Sequence, residues 1–399
     1  MSVSPDSFFL AVALDGTGWH PAAWREPDAR PSDLFTAGYW TDLVVEAERG
    51  SLDFVTIEDG LAVQSDEQFD PDNRRDRVRG RLDAVLIAAR IAPLTKRIGL
   101  VPTVVASHTE PFHVSKSIAT LDYVSAGRAG VRIRVSSRND EAAHFGRRVL
   151  PRFSDDALTD PSQRPRFDEL LLEATDYVEV LRRLWDSWED DAEIRDVATG
   201  RFIDRTKLHY IDFEGRWFSV KGPSITPRPP QGQPIVAALG HGAATYQFIA
   251  DSADVGFVTP QDAGQAEAIV ADIARRAVAR PRGPLHLLAD LTVFLDDTPI
   301  AAEARRRRLD ELAGSEYRSD AAVFVGTPAQ LADLLQEWRS GGLAGFRLRP
   351  ATLPHDLLQI TEELVPELRR RKLFRASRTA ETLRGTLGLA RPTSRYATA

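Results

Sequence analysis

The chain has 399 residues, 43% of them hydrophobic, no cysteine, and 58 acidic against 51 basic side chains for a formal net charge of −7. This composition supports a sizeable core. It excludes disulfides, thiolate metal sites and cysteine nucleophiles, and it argues against a nucleic-acid surface, whose footprint is basic. No signal-peptide pattern opens the chain and no apolar run reaches the ~20 residues of a membrane helix, so the expected location is the cytoplasm.

Apolar runs of strand length alternate with helical periodicity, the pattern of an α/β fold. The first run, Phe8 to Leu14, leads into a Gly/Pro/Trp-rich loop (Asp15 to Ser32) and a helix over Ala37 to Arg49. The second, Phe54 to Ile57, ends in Glu58-Asp59-Gly60, with a helix expected over Leu82 to Ala92. The third, Ile98 to Val105, ends in Ala106-Ser107-His108-Thr109; a helix over His113 to Val124 joins it to the fourth, Ala129 to Val135, which ends in Ser136-Ser137-Arg138-Asn139. A polar insertion, Arg147 to Asp168, precedes a helix over Leu170 to Trp188. Within Glu189 to Gln233, HYIDFEGRWFSVKG alternates around Glu214-Gly215 and predicts a hairpin. The fifth run, Ile235 to Leu239, enters Gly240-His241-Gly242 and a helix over Ala243 to Ala250. Val255 to Val258, Leu287 to Leu295 and Phe346 to Leu348 bring the runs to eight, with helices over Gln265 to Ala279, Ile300 to Leu312, Ala329 to Ser340 and Leu357 to Lys372. From Arg369 onward there are nine basic residues and one acid, Glu381. That end is either an anion-binding tail or, more plainly, a dipole-favoured helix end and a solvated tail.

Eight strands with interleaved helices predict a (β/α)8 TIM barrel over residues 1–374, with insertions after strands 1 and 4, a hairpin insertion before strand 5, and a basic C-terminal tail over 375–399. A doubly wound sheet is the competitor. In a barrel, chemistry sits at the C-terminal ends of the strands. Ser107, His108, Ser136 and Ser137 are delivered there by two successive strands. Asp59 closes the second strand, as a ligand acceptor or a helix cap. Gly240-His241-Gly242 at a helix start has the form of an anion cradle, or of a plain glycine turn. His108 and His20, on loops after strands, are candidates for proton handling or for simple solvation. Trp19, Trp24 and Arg25 either stack on a planar ligand or pin the first loop. No His-x-His, His-Glu-x-x-His or Gly-x-Ser-x-Gly occurs, so zinc and serine-hydrolase chemistry lack support.

The segments GTGWHPAAWREP, IEDG, EPFHVSKSIATLDYVSAGRAG, SSRNDEAAHFG, LRRLWDSWEDDA and IDFEGRWFSVKGPSITPRPPQGQPIV occur in this order. Over residues 8 to about 372 the chain thereby resembles the bacterial-luciferase-like flavin-dependent monooxygenases, in particular the nitrilotriacetate monooxygenase component A branch. The resemblance implies a barrel that takes FMN as FMNH2 from a separate NAD(P)H:flavin reductase and oxygenates a small organic substrate with O2 through a peroxyflavin. It implies a homodimer or homotetramer with no metal, no nucleic acid and no membrane. By position it assigns cofactor binding to Asp59, Thr103, Ser107, Ser136, Ser137, Gly240, His241 and Gly242; His108 or His20 is the candidate for proton handling.

The chain departs from the family pattern at the same site. Val131-Arg132-Ile133-Arg134-Val135 stands for Trp-Asn-x-Val-Thr, and His241-Gly242 stands for two phosphate-binding serines. Leu170-Leu171 stands for an Arg-Tyr pair, and Val105-Ala106-Ser107 for Ser-Thr-Thr. Arg132 or Arg134 is then a substitute phosphate ligand. Two further readings follow: an oxidoreductase using the deazaflavin F420, and a non-catalytic luciferase-like subunit with a decayed flavin site.

Overall fold

The computed structural model describes residues 8–67, 69–150, 160, 162–278, 280, 282–375 and 380–397. Eight parallel strands close a barrel: β1 Phe9–Leu14, β2 Phe54–Ile57, β3 Gly99–Val105, β4 Gly130–Arg134, β5 Ile235–Gly240, β6 Val255–Val258, β7 His286–Leu295 and β8 Gly345–Pro350. Each pairs with the next in chain order, and β8 pairs with β1. The expected barrel and all eight strand positions are therefore present. Buried on both faces, such strands read as continuous apolar runs. A further strand, Ala322–Gly326, pairs with the second half of β7.

Helices α1 Ala37–Arg49, α2 Ala84–Ile91, α3 Pro111–Val124, α4 Asn139–Phe145, α5 Arg164–Asp186, α6 Ala243–Ser252, α7 Ala263–Arg276, α8 Pro299–Ala313 and α9 Pro328–Arg339 surround the strands. Side chains at the start of α1, α2, α7, α8 and α9 accept a backbone N–H of the first turn, which fixes where these helices begin. Among the described residues no helix is long and apolar enough to cross a membrane.

Strand residues alternate between two cores. The outer one is shared with the helices. The inner one takes Phe9 and Ala11, Phe54, Val101, Ile235 and Ala237, Val255 and Phe257, and Leu288 from the barrel's lower half. Leu383, Leu387 and Leu389 of the C-terminal segment join it and close the floor. A Cβ at Gly99 would lie 2.6 Å from Leu383 Cδ1, so a residue without a side chain is needed where the segment enters. The segment Leu383 to Leu389 is thus packed, where the plainer reading had a solvated tail; residues 376–379 lie outside the described set.

The hairpin before β5 pairs Phe213 with Val220 and Glu214 with Ser219, and its turn runs from Gly215 to Phe218, with Trp217 at the tip. Part of the insertion expected over Arg147 to Asp168, residues 151–159 and 161, lies outside the described set.

Candidate active site

A cleft of about 320 Å³ opens over the C-terminal ends of β3 and β4. Ser107, His108 and Thr109 form its floor, and Phe145, Tyr177 and Trp217 form its walls. It shares Arg148, Glu173 and Trp217 with an adjoining cavity of about 480 Å³. Both volumes fall in the range of small-molecule sites.

His108 is buried, with its ring stacked 5.6 Å from that of Phe145 at 15°. Its Nε2 has no hydrogen-bond partner. Burial, followed by the Arg148 charge, lowers its pKa below 6.5, so the ring is neutral at neutral pH. Its neighbours are committed. The Thr109 hydroxyl donates to Val105 O (2.9 Å), so Tyr177 OH is the donor in the 2.8 Å contact between them. The Ser107 hydroxyl accepts from Ser136 N at 2.9 Å, and the Ser136 hydroxyl from Arg138 N at 3.3 Å. Ser137 follows, half-buried. Arg148 donates to Glu173 at 2.6 Å and to the Ser107 carbonyl. Two strand-end loops are thereby fastened to each other, and an unpaired imidazole is left facing an aromatic cleft.

The upper half of the barrel axis is filled by charge. Arg132 pairs with Glu58 and donates to the Thr103 hydroxyl at 3.1 Å. Arg347 forks onto Asp290 (2.8 and 2.5 Å) and reaches Thr56 Oγ1 at 3.1 Å. Arg349 bridges Asp290 (2.9 Å) and Asp320 (2.5 Å). The guanidinium of Arg347 lies 3.9 Å from the Phe257 ring centre, and that of Arg349 lies 4.5 Å from that of Trp19. Burial alone would raise the Glu58 pKa, but Arg132 and Arg347 outweigh it and hold it at about 2. Arg132, a substitute phosphate ligand in the sequence reading, is therefore tied to Glu58, and Arg134 donates to the Asp59 carbonyl at 2.8 Å. The cleft survives because it lies off this axis.

The other sequence-derived residues are distributed around the mouth. The Asp59 carboxylate accepts from Gly60 N (2.7 Å) and from Ala84 N (2.9 Å) at the start of α2; burial nevertheless raises its pKa to about 6. The amides of His241 and Gly242 both point at the Thr245 hydroxyl (2.9 and 3.1 Å), which itself donates to Gly242 O. The anion cradle is thus closed by a side chain of its own helix. The His241 ring contacts Thr259 Oγ1 at 3.0 Å and stands 3.6 Å from Asp320.

His20 is not brought to His108. Its Nδ1 accepts from Ala22 N and its Nε2 donates to Asp310, each at 3.1 Å, while its ring packs on Phe294 of β7 across the barrel from β3. Trp19 and Trp24 each donate an indole N–H to a carbonyl, of Ala13 (2.9 Å) and of Asp76 (3.0 Å), which pins the first loop.

Sequence reasoning missed Glu58, Asp290, Arg347, Arg349, Tyr177, Phe145 and Trp217. A signal existed for the axial group: charges at alternate positions of runs otherwise apolar on both faces. Among the described residues no group of three or more His, Asp or Glu could hold a metal ion.

Residues 17–345 match the sequence profile of the family described as luciferase-like monooxygenase. The chain is 30% identical to N-acetyl-S-(2-succino)cysteine monooxygenase of Bacillus subtilis (strain 168), over 97% of this chain and 98% of that one. It is 28% identical to nitrilotriacetate monooxygenase component A of Aminobacter aminovorans, over 96% of each. Among solved structures, a long-chain alkane monooxygenase superposes with a TM-score of 0.82 at 22% identity, covering 96% of this chain and 95% of that one. Riboflavin lyase, solved with modified FMN and riboflavin, gives 0.81 at 25% identity, covering 96% of each.

Proposed function

The chain belongs to the luciferase-like monooxygenase family and is a flavin-dependent monooxygenase; from that premise we propose that it is the oxygenase component of a two-component system. In this reading it takes reduced FMN from a separate NAD(P)H:flavin reductase, acts on a small organic substrate with O2, and works as a homodimer or homotetramer. The observation that carries the reading is the unpaired, buried Nε2 of His108 in a cleft walled by Phe145, Tyr177 and Trp217. A buried polar atom without a partner in an aromatic, ligand-sized cleft fits a planar heteroaromatic ring bearing its own hydrogen-bonding edge.

Reduced FMN, when bound, supplies the two electrons that let one oxygen atom of O2 enter the substrate while the other leaves as water. The residues of this chain hold, shield and handle protons. Phe145 and Trp217 would flank the ring and Ser107 would meet its edge, while Ser136, whose N–H donates to the Ser107 hydroxyl, and the adjacent Ser137 would support it from the next loop. Thr103 and Asp59 act through neighbours, by fixing Arg132 and the start of α2. His108, neutral in the resting protein, accepts or returns the proton at Nε2. His20 serves the site by holding the first loop against α8. Gly240, His241 and Gly242 meet the phosphate only after the Thr245 hydroxyl turns away. That closure favours a second reading, a luciferase-like subunit without flavin.

One titration decides. Purified protein is mixed anaerobically with FMN, FMNH2 and F420, binding is followed by flavin absorbance and fluorescence, and oxygen is then admitted. Saturable binding of FMNH2 with oxygen uptake supports the oxygenase. Binding of reduced F420 alone redirects the reading to hydride transfer, and binding of no flavin supports the second reading.

A further inference from the structure

We propose that the floor of the barrel, opposite the cleft, carries a binding site for a tetrahedral oxyanion, inorganic phosphate or a phosphoryl group, built from Arg182, Arg280, Arg282 and Ser252. At its centre is Asp254, which precedes β6 and is buried. Arg182 Nη2 lies 3.0 Å from one carboxylate oxygen; Nη2 of Arg384 and of Arg280 lie 3.4 and 3.7 Å from the other. Three guanidiniums thus share one carboxylate. Arg282 stands near them, and burial, then the Arg182 charge, lowers its pKa. The nearest other acids are engaged elsewhere: Glu179 with Arg183 and Arg395 (2.8 and 2.9 Å), and Asp251 with Gln247 (2.9 Å).

Backbone carbonyls take part of the load. Ala250 O and Ser252 O, at the C-terminal end of α6, accept from Arg280 and Arg182 at 3.2 and 3.0 Å. Four buried atoms still lack a hydrogen bond: Arg280 Nη2, which reaches Asp254 only at 3.7 Å, Arg282 Nε, Arg182 Nε and Ser252 Oγ. Burying like charges and leaving their donors unsatisfied is costly, and such a group points to an ion that completes it. Burial, with repulsion from the neighbouring arginines, pushes the Arg280 pKa down to about 10, as expected of a guanidinium short of negative charge. Guanidinium forks match the paired oxygens of phosphate, which a spherical ion such as chloride does not offer. Arg282, half-buried, gives the group an edge on the surface.

The test is calorimetric titration of the full chain with inorganic phosphate, and separately with glycerol phosphate, at ionic strength matched with sodium chloride, together with thermal unfolding in each salt. The expected result is saturable binding with a rise in melting temperature that chloride does not give. Binding of both ligands identifies a phosphoryl group as the ligand class, and binding of phosphate alone identifies the free ion. Arg282→Ala, at a half-buried position, weakens binding about tenfold, the loss of one charge-assisted hydrogen bond. Ser252→Ala checks the same site without removing charge. No difference between phosphate and chloride, or unchanged affinity in both variants, overturns the proposal. Because Arg282 and Ser252 lie at the opposite end of the barrel from Gly240, His241 and Gly242, weaker phosphate binding in their variants assigns the ion to the floor, independently of flavin binding.

Discussion

Arg347 of β8 and Asp290 of β7 form a two-pronged ion pair at the barrel axis, 2.8 and 2.5 Å long, with neither side chain exposed to solvent. Asp290 also receives Arg349, so a single carboxylate holds two buried guanidiniums. Removing one partner of such a pair leaves an uncompensated buried charge. Asp290→Asn is expected to cost about 3–5 kcal/mol of stability, read as a lower urea midpoint with an unchanged slope. A loss below about 1 kcal/mol would show that the pair is not isolated from water.

The floor makes a second prediction. Leu383 belongs to the inner cluster beside Phe9 and Phe54, and its backbone N–H donates to Gly127 O at 2.9 Å. Leu383→Ala should cost about 2–5 kcal/mol, and Gly99→Ala should also destabilise, because its new methyl meets the same leucine. Circular dichroism melts of both variants check this; a wild-type melting temperature in Leu383→Ala would mean that the segment does not seal the barrel.

His108 makes a prediction about pH. Its folded pKa lies below 6.5 because burial and Arg148 disfavour the imidazolium. The acid limb of the rate profile should therefore lie below 6.5. Replacing Arg148 with Ala removes a repelling cation and should move that limb upward. His108→Ala should lower kcat by about 10²–10⁴-fold and also weaken FMNH2 binding, because the ring edge loses its partner at Nε2. An acid limb unmoved by Arg148→Ala would separate His108 from the rate.

Thr245 makes the fourth. Its hydroxyl occupies the His241 and Gly242 amides, so Thr245→Ala should free them and raise affinity for FMN relative to riboflavin, which lacks the phosphate. Thr245→Ser should preserve the wild-type ratio. Equal gains for both flavins in the alanine variant would place the phosphate elsewhere.

The barrel was readable because strands buried on both faces leave runs such as Val255 to Val258, and because α1 and α9 carry one apolar stripe each. Among the elements that escaped, three show why. Helix α4 has seven mostly polar residues, the pair Glu193–Asp196 and Arg201–Ile203 is largely solvent-facing, and the strand Ala322–Gly326 completes no barrel edge. At the site, positions were legible and partners were not. Loops after β3 and β4 had to hold Ser107, His108 and Ser136. That Asp59 would cap Ala84, that Glu58 would meet Arg132, or that Leu383 would close the floor depends on contacts across 25, 74 and several hundred positions. Local pattern carries no record of such pairings, because each partner alone suits many environments.

The sealing of the inner cluster by Leu383, Leu387 and Leu389 bears on how the molecule is made. Phe9 is synthesised long before the leucines that complete its surroundings. A nascent polypeptide that has passed β8 but not Leu383 therefore carries a cylinder open at its floor. Products truncated between the two lack their stopper and display a greasy opening to the cell's quality-control machinery.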